Sequence, residues 1–467
     1  MAGTVRRILG LDFNGRPIFA PKHAHSLLLA AAGGGKTTSG AIPWLQSLIA
    51  DTSRAIVVTD SKEGEIAAQC APLCAGYGRR VAIVDDFGVL GPGVPWRVAL
   101  NRLGAITRSH AAAPSELIFA TETACHALIE EPPRDERNRY FRDEPRTLIE
   151  YAICSLLHRT PRLVTPGGVW TLLCDPELLL QAAAIDAEEG DEALRALARH
   201  VLGMRGNEEH FPQHLAAALK ALRIYSAGSA LHHAGIGATH THDDLIAGKY
   251  VVFLVGPVRH MERLGADYAL QLQGFLEALL TGQAGPVVFV MDEFTNAPLK
   301  ALIAQLTTMR GYGGTCHMIA QSRSEIERRY GEKEALTIDE NAVVKQWFGF
   351  SSYREAERVS KAMGDALSVS PSLGVNSDRM AFSGNLSLGK QPLFTPDELM
   401  RLPADEQILH VKDVGFIHAR KIRQNEIAPT CFDLADNPLE GAAMTPDPKV
   451  TLPVPVPNEG NGGEDET

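Results

Sequence analysis

The sequence has only seven cysteines, scattered along the chain, and the one close pair, Cys70 and Cys74, has no second pair to complete a zinc site. A disulfide framework and a structural zinc cluster are therefore not expected, and all seven are read as reduced, mostly packed thiols. Long apolar runs are missing too. The runs present, such as residues 250–255 and 287–291, fall far short of the about 20 residues that a bilayer span requires, and fit buried strands instead. Behind Arg6 and Arg7 no long apolar segment or small-residue cleavage site follows, so a cytoplasmic location is expected rather than a secretory one. An excess of positive charge is also lacking. With a formal net charge of -11, the chain is not expected to coat nucleic acid over its whole surface, because such binding depends on Lys and Arg neutralising phosphates. Any contact with nucleic acid has to be local. No internal repeat of solenoid or propeller length occurs.

What is present is apolar material for a large core, 45% of 467 residues, in a chain long enough for two or three domains. From Ser26 onward, short apolar runs alternate with longer amphipathic segments, the pattern of strands and crossover helices in a parallel sheet. The strand candidates are residues 27–30, 55–60, 81–85, 250–256, 287–292, 316–321 and 346–350. Most are apolar throughout, so they should be covered on both faces. Between about 114 and 242 this signal gives way to helical spacing, as in Leu148, Ile149, Ala152, Ile153, Leu156 and Leu157. The expected fold class is α/β, a RecA-like P-loop NTPase core with a mostly parallel sheet and an inserted all-α domain. The expected division is a lead-in at 1–25, a first part of the nucleotide-binding domain at 26–113, the insert at 114–242 and the second part at 243–445. Within the second part, 407–412 and 417–423 read as a hairpin. The Pro-rich, acid-ended stretch 446–467 offers little to bury and is expected to be disordered.

The first chemical motif follows the strand at 27–30: Ala31-Ala32-Gly33-Gly34-Gly35-Lys36-Thr37-Thr38, running into a helical segment. This is a P-loop in its strand-loop-helix setting. Gly33, Gly34 and Gly35 allow backbone N–H groups to converge on phosphate oxygens. Lys36 can reach the β- and γ-phosphates, Thr37 can ligate Mg²⁺, and Thr38 completes the nucleotide-binding set. The position where the motif normally opens with Gly is Ala30, whose Cβ is expected to restrict the turn leaving the strand.

The second motif is Val287-Val288-Phe289-Val290-Met291-Asp292-Glu293, an apolar strand delivering two carboxylates at its C-terminal end, a Walker B pattern. Asp292 is expected to hold Mg²⁺ through its water shell and Glu293 to polarise the attacking water. Gln321, ending the strand at 316–321, suits a γ-phosphate or water sensor. The histidines His232, His233, His240 and His242 have no fixed metal-ligand spacing. The segment 323–329 reads as a solvated helix face with intrahelical charge pairs, and the acidic run 186–192 as a solvated connection between helices.

Taken in order, Asp292-Glu293-Phe294, Met309-Arg310-Gly311-Tyr312-Gly313, Ala320-Gln321-Ser322, Tyr330-Gly331, Trp347-Phe348-Gly349 and Pro392-Leu393-Phe394-Thr395-Pro396 form a collinear series. That series resembles the TraG/TraD-like type IV secretion coupling proteins. Val58-Thr59-Asp60-Ser61-Lys62 and Val84-Asp85-Asp86-Phe87-Gly88 match the family's strands after the P-loop, so the resemblance covers most of 26–423. It implies a hexameric ring ATPase using ATP and Mg²⁺. Such a ring recruits DNA, a relaxase-DNA complex or protein effectors and delivers them to a type IV secretion channel at the inner membrane. In related ring motors an arginine reaches the neighbouring subunit's nucleotide; Arg310 matches that position and Arg354 is a weaker second candidate. Family members typically begin with membrane-spanning helices, whereas here Lys36 comes with none before it, so membrane recruitment through partners is expected. Two other readings are a nucleotide-gated cargo adaptor with little hydrolysis, suggested by Ala30, and a small-molecule phosphotransferase, disfavoured by the strand-end acid pair followed by Arg310 and Gln321.

Overall fold

The computed structural model describes residues 6–132, 138–161, 164–297, 299–375 and 382–455. Its strands, in chain order, are β1 (Ile8–Leu11), β2 (Pro17–Phe19), β3 (Ser26–Leu29), β4 (Ala55–Asp60), β5 (Val81–Val84), β6 (Val251–Val255), β7 (Val287–Met291), β8 (Thr315–Ala320), β9 (Val344–Trp347), β10 (Asp365–Val375), β11 (Phe382–Pro392), β12 (Glu406–Val411), β13 (Gly415–Arg420), β14 (Ile427–Ala428) and β15 (Val450–Thr451). Eleven of them form one sheet in the order β2-β1-β13-β12-β9-β3-β8-β7-β4-β6-β5. The strands from β9 to β5 are parallel to their neighbours, and β12, β13, β1 and β2 extend that edge antiparallel.

Most of the parallel strands are largely apolar because both faces are covered, and the alternation of side chains sorts their residues between two cores. On β4, Ala55 and Val57 join one core while Ile56 and Val58 join the other; on β6, Val252 and Leu254 oppose Val251, Phe253 and Val255. One face is covered by the helices Ile42–Leu48 and Glu65–Gly76, the other by Met261–Leu280 and the helices inserted between β5 and β6.

Those inserted helices begin at Gly104–Ala112 and run through His210–Ala221, and the isolated parallel bridge Leu100–His240 ties their entry to their exit. Their starts carry the expected chemistry. Thr165, Asp175 and Asp191 accept N-cap hydrogen bonds, and Pro166 and Pro176 occupy first-turn positions, each cap contributing about 1 kcal/mol. The insert shares its core with the sheet. At the junction, buried Arg102 donates to Asp267 at 2.8 Å and Asp86 at 2.6 Å, and Tyr225 Oη donates to Asp267 at 2.8 Å.

Three expectations are corrected and one element is new. The lead-in forms edge strands β1 and β2, too short and too close to Pro17 to give a periodic signal. The long hairpin β10–β11 was not expected. The stretch read as disordered from Pro446 is structured at its start: β15 pairs parallel with β14, and Val450 and Leu452 bury against Ile8, Leu11 and Ile427. The remainder of that stretch, 456–467, lies outside the described residues. Finally, Asp186 is not in a solvated connection. It is buried in the helix Pro176–Glu189, where it accepts from Tyr151 and Ser155 and pairs with Arg159.

Candidate functional site

The P-loop leaves the C-terminal end of β3, the middle strand of the eleven-stranded sheet. Its positive φ angles fall on Gly33 (74°) and Gly35 (84°), conformations that glycine adopts without strain. Ala30 is buried, continues the strand through Ala30 N–H to Ala320 O at 3.1 Å and has no positive φ, so its Cβ does not restrict the turn as expected. After the loop the first helical turn, Lys36–Ala41, is wound as a π-helix. Gly40 lets it lie against the sheet, since a Cβ there would come within 2.6 Å of Leu28 Cδ2.

The sequence-predicted residues at the strand ends do meet. Lys36 Nζ lies 2.9 Å from Glu293 Oε1, both side chains nearly buried. Gln321 Nε2 donates to the same oxygen at 3.4 Å. Asp292, at the end of β7, keeps its backbone in register through Thr59 Oγ1, which donates to Asp292 O at 3.1 Å. Glu293 then takes a left-handed conformation, φ 48°, uncommon for a residue with a Cβ. Thr37 is buried at the start of the helical turn and Thr38 is half-buried beside it.

Two residues without an assigned role join the site. Lys62, just beyond β4, places Nζ 3.6 Å from Asp292 Oδ2 and 3.4 Å from Glu293 Oε1. Burial alone would lower its pKa, but Asp292 and Glu293 hold it above the ordinary lysine value. A signal for it existed, since it follows the strand adjacent to β7 in the sheet. Lys421, just past β13, is buried and donates to Gly34 O and Phe348 O, both at 3.1 Å. Burial lowers its pKa to about 8. No local pattern could have found a contact 387 residues away in sequence. Lys421→Met is expected to remove the donor to the Gly34 carbonyl and the buried Phe348 carbonyl, lowering stability by about 1–3 kcal/mol and weakening nucleotide binding about tenfold. Denaturant unfolding and nucleotide titration check both effects.

The donor set suits MgATP. The glycine loop presents N–H groups with Lys36 beside it, and the hydroxyl of Thr37 and the carboxylate of Asp292 are hard oxygen ligands of the kind Mg²⁺ takes. Among the described residues neither Asp292 oxygen has a hydrogen-bond partner, although both are buried. Burial chiefly, with Glu293 nearby, raises the Asp292 pKa to about 6.

Asp60, at the end of β4, is buried more severely. Its Oδ2 accepts from Ala67 N–H at 2.7 Å while Oδ1 has no partner among the described residues. Desolvation, helped by Asp292 and Glu65, raises its pKa from 3.8 to about 8. The folded chain therefore holds a proton that the unfolded chain has released. The stability contributed by that proton is fully present below about 4 and is lost as pH rises through about 8. Unfolding free energies at several pH values between those limits should fall with a component of up to about 1.4 kcal/mol per pH unit that Asp60→Asn removes.

Arg310 does not join this group. It is exposed in the 3-10 turn Met309–Tyr312, before the N-terminal end of β8, whereas Gln321 follows the C-terminal end of that six-residue strand, roughly 20 Å along it. Its charge is felt by His25 at the start of β3, whose pKa falls to about 4 through burial and then Arg310. Arg354, in the helix Tyr353–Met363, lines a cavity of about 320 Å³ together with Gln321 and Arg323. The charge pairs expected for 323–329 are present in Arg323–Glu327 at 2.8 Å, with Asp339 as a further partner of Arg323. No metal-binding cluster of His, Cys, Asp and Glu occurs among the described residues, and His242 packs on Phe275 instead. The cysteines are free, and all but Cys174 are buried.

Residues 286–404, from the start of β7 to the turn before β12, match the family model described as the TraM recognition site of TraD and TraG. Over 404 residues the chain is 26% identical to the conjugal transfer protein TraG of Rhizobium radiobacter, covering 83% of this chain and 60% of that protein. The chain is a relative of TraG. It spans 60% of that relative's length. A shorter stretch of 158 residues is 27% identical to VirD4 of Agrobacterium fabrum, 33% of this chain and 24% of that protein. The fold of this TraG relative is that of the bacterial conjugative coupling protein TrwB. The structure of TrwB in complex with ADP and Mg²⁺ superposes with a TM-score of 0.58 at 14% identity, covering 85% of each chain. The sheet with its inserted helices is thus a RecA-like P-loop NTPase core. Among the described residues no helix is long and apolar enough to cross a membrane.

Proposed function

We propose that this chain is an ATP-hydrolysing coupling protein, binding DNA, a relaxase-DNA complex or protein effectors and delivering them to a type IV secretion channel, in an assembly such as a hexameric ring. The observation that carries the reading is the convergence of Lys36, Asp292, Glu293 and Gln321 at the C-terminal ends of β3, β7 and β8. The conjugal transfer names of the relatives support the cargo, and the TrwB complex with ADP and Mg²⁺ supports the cofactors.

Gly33, Gly34 and Gly35 cradle the phosphates, with Thr38 at the start of the following turn. Thr37 and Asp292 would hold Mg²⁺, which would offset the negative charge of the phosphates. Lys36 exchanges Glu293 for phosphate oxygen, which frees Glu293 to orient a water and accept its proton, while Gln321 steadies that water. Arg310, at the opposite pole of the sheet, acts on the nucleotide of a neighbouring copy. Any place at the inner membrane comes through partners.

Phosphate release by the purified chain, with and without single-stranded DNA, tests the reading. Turnover stimulated by DNA is the expected result. Tight nucleotide binding with no turnover under either condition would replace it with a nucleotide-gated adaptor.

A further inference from the structure

At the far edge of the parallel strands the inserted helices leave a cleft of about 700 Å³ against the sheet. One wall is the end of the helix His210–Ala221 and the turn Arg223–Tyr225; the other is the turn Val258–His260 with the start of Met261–Leu280. Lys220, Arg223, Arg259 and Arg263 line it, all exposed, and no carboxylate lines it. None of the four forms an ion pair among the described residues, whereas Arg102 and Arg108 elsewhere in the chain are paired. Phe87 and His260, with ring centroids 6.0 Å apart, add aromatic faces to the same cleft. In a chain of net charge -11, four uncompensated cations around one cavity form a local positive site.

We infer that this cleft between the helical insert and the sheet binds single-stranded nucleic acid. Lys220, Arg223, Arg259 and Arg263 contact successive phosphates, and Phe87 and His260 offer faces for a base. The chemistry matches what a single strand presents, a phosphate row with unstacked bases, and combines cationic tracking with aromatic stacking. The turn that walls the cleft is also hydrogen-bonded to the segment that carries Lys62. Val258 N–H donates to Glu63 Oε1 at 3.0 Å, and Glu63 is the chain neighbour of Lys62, which faces Asp292 and Glu293. The inference rests on the proposed motor reading for its cargo, choosing nucleic acid over protein.

The test uses the full chain and a fluorescein-labelled single-stranded oligodeoxythymidylate, followed by anisotropy over a series of salt concentrations. Three proteins are compared: the unmodified chain, Arg223→Glu/Arg263→Glu, and a control with the same charge change, Lys333→Glu/Lys412→Glu. Phosphate release without DNA is measured on each. Arg223→Glu/Arg263→Glu is expected to bind at least about tenfold more weakly and to lose roughly one to two units of the log-log salt slope. The control should bind within about twofold of the unmodified chain, and DNA-free turnover should be equal in all three. Equal binding by Arg223→Glu/Arg263→Glu and the unmodified chain would overturn the site and leave the motor reading standing. Failure of the unmodified chain to bind the oligonucleotide while hydrolysing ATP would overturn nucleic acid as the occupant. Loss of binding in Arg223→Glu/Arg263→Glu together with absent turnover everywhere would uphold the cleft and sink the motor reading.

Discussion

Glu293→Gln is expected to lower ATP turnover by about 10²- to 10⁴-fold while MgATP binding stays intact or tightens. The substitution keeps the size of the side chain and removes its ability to accept a proton. Three donors converge on Glu293 Oε1: Lys36 Nζ at 2.9 Å, Lys62 Nζ at 3.4 Å and Gln321 Nε2 at 3.4 Å. A γ-phosphate competes with Glu293 for Lys36, so a neutral amide there eases nucleotide entry even as it removes the base. Binding and chemistry should therefore move in opposite directions, a split that a merely misfolded protein would not show. Phosphate release together with titration of a fluorescent ATP analogue measures the two separately, and a wild-type rate in Glu293→Gln would remove Glu293 from the chemistry.

Arg310→Ala should be nearly as damaging, lowering turnover by about 10³-fold or more, because an arginine brought to the γ-phosphate stabilises charge that builds in the transition state. Within one chain Arg310 stands at the wrong end of β8 to reach the P-loop, so its effect has to cross an interface. Complementation is the specific consequence. In a mixture of Arg310→Ala and Lys36→Ala chains, some interfaces pair an intact P-loop with an intact arginine, and turnover should recover to a sizeable fraction of the unmodified rate although each protein alone is inactive. A mixture as inactive as its components would rule out the role in trans.

Most of the site was legible because its residues sit where strands end. An apolar run that stops at Asp292-Glu293 or at Gln321 puts polar groups at the carboxyl edge of a parallel sheet whatever the loops do, and the strand-loop-helix context located the P-loop. Lys62 was within reach of the same logic, following a strand that pairs directly with β7. Lys421 was not, since its partners Gly34 and Phe348 come to it only through the antiparallel extension of the sheet. The edge strands β1 and β2 escaped notice because four and three residues carry too little periodicity to separate from a loop. The first residues of the tail were misjudged for a different reason: a composition poor in apolar residues says nothing about the two, Val450 and Leu452, that find a pocket beside Ile427. Charge composition gave only the constraint that a nucleic-acid contact be local. Where that locality lies depended on three distant segments meeting at the edge of the insert.

The most direct measurement is equilibrium binding of MgATP to the unmodified chain and to Lys36→Ala, each with and without Mg²⁺. If the glycine loop, Lys36 and the Thr37–Asp292 pair form the nucleotide site, binding should depend on Mg²⁺ and should weaken by at least about tenfold in Lys36→Ala, the cost of one charge-assisted contact to phosphate. Binding that is absent from the unmodified chain, or unchanged by Lys36→Ala, would contradict the assignment of this site to ATP.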